Sequence, residues 1–170
     1  MGLFDFLTGT KRPPKGTPPA PMADVEAAIL GVNRDTAPFQ VRRDDSGKAD
    51  YVAEWKIVDA AWYEIFAKAG LKKVFRIYMK LDPEAKAVRA VDEEWSVEWR
   101  AGVPKLTIAA EAFRGQKKEF SFGTAYAFTE ELRPGVVYNY KFSTGEIKTP
   151  LQKAVTGKGW IWRGVAFGKL

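Results

Sequence analysis

Hydrophobic and polar positions alternate through much of this chain, most clearly over residues 74–81. There Phe75, Ile77, Met79 and Leu81 fall on one side and Arg76, Tyr78 and Lys80 on the other. A period of two is the mark of a strand with one buried face. Residues 38–43 and 51–58 read as two further strands joined through the turn signal Asp44-Asp45-Ser46-Gly47, which predicts a hairpin. In the second of these, Val52, Glu54 and Lys56 oppose Tyr51, Ala53, Trp55 and Ile57. Residues 88–91, 94–100, 105–113, 118–122, 136–142 and 160–167 complete the expected strands. They are separated by Gly- and Pro-containing turns such as Ala101-Gly102-Val103-Pro104 and Arg114-Gly115-Gln116.

Helical spacing is rarer. Trp62, Ile65, Phe66 and Ala69 recur at intervals of three and four between Asp59 and Gly70, which predicts an amphipathic helix over 60–69. Asp24 is read as the N-cap of a short helix ending at Gly31, and Thr149-Pro150 as the start of one ending at Gly157. The fold class expected is α+β and β-rich: a strongly curved antiparallel sheet or partial barrel of about eight or nine strands, with two or three short helices.

One stretch escapes both periods. Residues 9–22 hold Pro13, Pro14, Pro18, Pro19 and Pro21, a density that helices and central strands exclude. It reads as a flexible linker, so the expected organisation is an apolar head and tether over 1–22 followed by one globular domain over 23–170. The head, Leu3, Phe4, Phe6 and Leu7, is too short to be a stable isolated helix and calls for a receiving surface. Three cations of the tether, Lys11, Arg12 and Lys15, suit an anionic lipid surface. Residues 1–7 are expected either to contact a membrane surface or a protein partner, or to dock in a groove of their own body or of a second copy of this chain.

Composition narrows the chemistry. The chain has no histidine and no cysteine. Imidazole-based acid–base catalysis, Ser–His and Cys–His nucleophile pairs, thiolate or imidazole zinc sites and disulfides are therefore excluded. The net charge of +6 comes from 27 basic and 21 acidic residues, a mild excess that permits anionic partners without demanding them. No apolar run approaches a membrane span, the start lacks the features of a secretory signal, and Phe6 stands where a myristoylation pattern wants Ser or Thr. A cytoplasmic location, peripheral at a membrane, is the expectation. No cofactor and no metal are expected.

Four constellations remain. Asp92, Glu94 and Glu98 share one face of a strand, opposite Trp95, Val97 and Trp99; paired carboxylates are the one acid–base device left, as in a hydrolase acting on sugars or using a divalent cation. Lys72, Lys73 and Arg76, extended by Lys80, form a small anion-attracting patch. Trp160 and Trp162 make either a core strand or an aromatic wall for an apolar ligand. Phe120 and Phe122 beside Lys117-Lys118 resemble a base-stacking platform for single-stranded nucleic acid. Glu119 occupies the place of a required Gly, however, so nucleic acid is not an expected partner. The leading expectation is a non-enzymatic binding or interaction module.

Overall fold

The computed structural model describes residues 3, 8–34, 37–56, 73–101, 103–107, 114–115, 126–129, 137–140, 144–165 and 170. Two helices, α1 (Met22–Leu30) and α2 (Thr144–Thr156), pack on a sheet built from β1 (Phe39–Arg43), β2 (Tyr51–Trp55), β3 (Lys73–Asp82), β4 (Ala87–Arg100), β5 (Val103–Thr107) and β9 (Ile161–Gly164). The two-residue β6 (Arg114–Gly115) also pairs with β4, and β7 (Tyr126–Thr129) with β8 (Val137–Tyr140) forms a separate antiparallel ribbon. The architecture is α+β, and the sheet curls into a half-barrel. Among the described residues it has six strands of four residues or more, fewer than the eight or nine expected. The expected helix over 60–69 and strand over 118–122 lie outside the described residues.

Strands β1 to β5 run antiparallel in sequence order, as hairpin connections dictate. The Asp44–Gly47 turn is built on one side chain. Asp44 accepts the backbone N–H groups of Ser46, Lys48 and Ala49, and Gly47 adopts φ +80°, the left-handed region that glycine enters without a Cβ penalty. Partial burial opposes ionisation of Asp44, but these N–H groups and the Ser46 hydroxyl outweigh it and hold the carboxyl below its ordinary value. A lowered native pKa gives stability that is present above the ordinary carboxylate range and lost as pH falls through the native value. Asp44→Ala is therefore expected to cost about 1–2 kcal/mol at neutral pH, from lost acceptor bonds. The gap to the natural chain should close in acid, as read by urea denaturation at both pH values.

Strand β4 departs from expectation. Residues 88–91 and 94–100 belong to one fourteen-residue strand rather than two. Asp92 and Glu93 do not break it because distant cations meet them: Lys148 reaches Asp92 at 2.5 Å and Lys48 reaches Glu93 at 3.4 Å. One edge of β4 pairs with β3 from Asp82↔Ala87 to Lys73↔Ser96 without a bulge. The other edge is shared in turn by β9, β6 and β5. The sheet is antiparallel as expected except at this edge, where β9 lies parallel to β4, the one parallel pairing among the described residues.

The helices cover the face that carries Phe39, Val41, Tyr51, Ala53, Ile77, Met79, Val88 and Ala90. Helix α1 contributes Val25 and Ile29, and α2 contributes Ile147, Leu151 and Val155 at a spacing of four. Phe39, Trp55 and Phe75 form an edge-to-face chain, with ring centroids 6.0 and 6.2 Å apart. A small second cluster, Val52, Tyr78 and Val91, occupies the other face, with Ala49, Val165 and Leu170 against it. Both helix starts differ from expectation. Helix α1 begins after Pro21 with Asp24 in its first turn, where a carboxylate favours the helix dipole without capping. Helix α2 begins at Thr144 and contains Pro150; its apolar stripe runs through the proline and overrides the local signal for a start.

Candidate functional site

The Pro-rich stretch does more than link. Where it is free of proline, its backbone bonds to the closing strand. Lys11 and Trp162 exchange both N–H···O bonds at 2.8 Å, Ala20 N–H donates to Lys158 O at 2.8 Å, and the Trp160 indole N–H donates to Ala20 O at 2.8 Å. Thr8 and Thr10 are buried, their hydroxyls 2.7 Å apart, and Gly164 N–H donates to Thr10 Oγ1 at 3.3 Å. Gly159, at φ +74°, lies so close that a Cβ there would stand 2.3 Å from Pro18 O. Residues 8–20 are thus tied at both ends: Thr10 and Lys11 to the outer edge of β9, whose inner edge is on β4, and Pro18 to Ala20 against the turn at 158–160 that precedes it. Lys11, Arg12 and Lys15 are exposed along this seam.

Trp160 and Trp162 are wholly buried in the main core, where they serve as the foundation of the seam. Leu3 is 76% exposed. Phe4, Phe6 and Leu7 lie outside the described residues, as does Lys72 of the expected basic patch.

Asp92 and Glu98 are not brought together, and Glu94 stands half-buried two positions from Asp92, opposite Phe75 in register. Asp92 is fully buried beneath α2 against Lys148, whereas Glu98 is exposed beside Arg100 at 3.4 Å. Six residues separate them along one strand, roughly 20 Å. Arg76, opposite Glu93 in register, bonds instead to Glu54 at 3.0 Å and lies 4.3 Å over the Trp95 ring. Glu54 also takes Arg42 at 2.7 Å, and Glu93 takes Lys48 and the Tyr78 hydroxyl, both at 3.4 Å. These charges offset one another within the sheet face. Among the described residues no group of three acidic side chains could hold a metal ion.

A cleft of about 400 Å³ opens between α1 and the β1–β3 end of the sheet, lined by Met22, Glu26, Arg43, Asp50, Tyr51 and Leu81. Sequence reasoning missed it, because its walls come from four separate segments. Its polar groups are mutually engaged. The Tyr51 hydroxyl donates to Glu26, Arg43 lies 3.6 Å from Glu26 and 5.2 Å over the Tyr51 ring, and Asp50 accepts Leu81 N–H at 2.8 Å. Burial, then the hydrogen bond and the charge of Glu26, push the Tyr51 phenol up to about 12. A phenol held neutral in this way is a poor base at neutral pH. Its raised native pKa gives stability that is complete below pH 10 and lost as pH rises toward 12. Tyr51→Phe is expected to remove that part of the alkaline loss, on the order of 2 kcal/mol, measured by denaturation at stepped alkaline pH.

Among the described residues no helix is long and apolar enough to cross a membrane. Comparison with protein-family models, curated proteins and solved structures finds no match to this chain.

Proposed function

We propose that this chain is a non-enzymatic binding module that attaches to a membrane surface through its apolar head, Leu3, Phe4, Phe6 and Leu7. The observation that carries the reading is the seam of residues 8–20 on β9. It fixes the root of the head at the sheet edge through paired backbone bonds, while Leu3 is left 76% exposed. A large apolar side chain in water gains roughly 1.5–3 kcal/mol on full burial, and a bilayer interface offers that burial. The exposed Lys11, Arg12 and Lys15 beside it would add about 1 kcal/mol each near anionic lipid. A protein partner, or a second copy of this chain, is the competing occupant of the same head.

The test is vesicle co-sedimentation of the full chain against a variant with Leu3, Phe4, Phe6 and Leu7 replaced by Ser. The variant keeps Thr8–Lys11 and with them the seam. At least a tenfold loss of vesicle binding is expected. Equal binding by both, or no binding by the natural chain, refutes the membrane reading. Concentration-dependent self-association of the natural chain, abolished in the variant, would replace it with the oligomer reading.

A further inference from the structure

On the face opposite the helices, register places three cationic side chains side by side. Lys80 of β3 pairs with Arg89 of β4, and Arg89 with Arg163 of β9. Directly opposed residues share a face, and the neighbouring pairs confirm which: Met79↔Ala90 and Val88↔Trp162 lie in the main core, so the Lys80–Arg89–Arg163 row points the other way. Two interstrand spacings make the row about 10 Å long. Lys80 and Arg163 are exposed and Arg89 is half-buried. Among the described residues no carboxylate pairs with any of the three, in contrast to Arg42, Arg76 and Lys48 on the same face, each of which has one. Asp82, the carboxylate two residues beyond Lys80 on β3, accepts Ala85 N–H on Oδ1 at 3.0 Å.

Like charges set directly opposite one another in a sheet are destabilising. Here three stand in line, at positions where the alternation requires only a polar residue. Such a row lowers its own repulsion by binding an anion. We infer that the Lys80–Arg89–Arg163 row is a docking surface for the phosphates of anionic phospholipid headgroups. The inference rests on the membrane reading above and names the lipid class. Two observations favour lipid over nucleic acid. Arg163 adjoins Gly164, whose N–H bonds Thr10 in the seam that roots the apolar head. The aromatic neighbours of the row, Tyr78 and Trp162, are buried and give bases no stacking platform.

The experiment compares vesicles of phosphatidylcholine alone with vesicles in which about a third is phosphatidylglycerol, using the natural chain, the Ser-substituted head variant, and Lys80→Gln/Arg89→Gln/Arg163→Gln. About fivefold loss of affinity per cation is expected, or about a hundredfold for the triple variant at low ionic strength. The melting temperature should stay level or rise, because repulsion has been removed. Lys80→Glu alone, at the exposed end of the row, provides a second variant and should lose at least fivefold. Preference of the natural chain for the anionic vesicles, lost in these variants, supports the inference. Anionic-vesicle binding that the head variant weakens but the row variants leave unchanged overturns it, with the membrane reading intact. So does equal binding of the natural chain to both vesicle types. Row variants that keep vesicle binding but lose a single-stranded oligonucleotide would reassign the row to nucleic acid. No binding of the natural chain to either vesicle overturns both readings.

Discussion

Lys148→Met is expected to destabilise the fold by about 3–5 kcal/mol. The Lys148 ammonium sits 2.5 Å from Asp92 Oδ2, and Asp92 is completely buried in the middle of β4. Removing the cation takes the ammonium away from a fully buried carboxylate between α2 and the sheet. Restoring shape without charge, in Asp92→Leu/Lys148→Met, should recover most of the loss, since a buried ion pair is often matched by an apolar pair of similar volume. Urea denaturation of the four chains as a double-mutant cycle measures the coupling. If Lys148→Met and Asp92→Leu merely add, the pair is not the clamp that joins α2 to β4.

The second large effect is expected at a residue with no side chain. Gly159→Ala places a methyl group 2.3 Å from Pro18 O and 2.6 Å from Pro18 C, on a backbone at φ +74°. The left-handed conformation alone costs a non-glycine residue about 1–2 kcal/mol. Pro18 must also retreat, which strips the Ala20–Lys158 and Trp160–Ala20 hydrogen bonds, each worth about 1 kcal/mol. A total near 3 kcal/mol follows if the seam opens. The sharper readout is limited trypsin digestion after Lys15, which should accelerate severalfold in Gly159→Ala while the rest of the chain stays protected. Unchanged cleavage would show that residues 8–20 are not held by this contact.

These two sites mark the boundary of what sequence conveys. The hairpin at Asp44–Gly47 and the alternation of β3 are local, and both are legible because turn chemistry and a period of two act within a few residues. The continuity of β4 is not. Asp92-Glu93 looks like a break until Lys148 and Lys48 arrive from 56 and 45 residues away. The prolines of residues 13–21 mask the role of that stretch, because proline lacks an N–H while Lys11 and Ala20, lying between prolines or beside them, still bond. Trp160 and Trp162 can be read as core strand, but the parallel pairing of that strand cannot. The same holds for the cationic row. Lys80 is visible as an outward residue of an alternating strand, yet its neighbours Arg89 and Arg163 are set by register alone. Of the sequence patch of Lys72, Lys73 and Arg76 that Lys80 was expected to extend, Arg76 is committed to Glu54 and Trp95.

The bonding of Trp160 to Ala20 across 140 positions, and of Gly164 to Thr10 across 154, sets an order of events. During synthesis residues 8–20 emerge well before the strand that Thr10 and Lys11 border. Pairings this distant carry the largest loop-closure entropy and form slowly. The stretch that roots the apolar head therefore waits on the ribosome without its dock. A chaperone or a bilayer has that interval in which to claim it first.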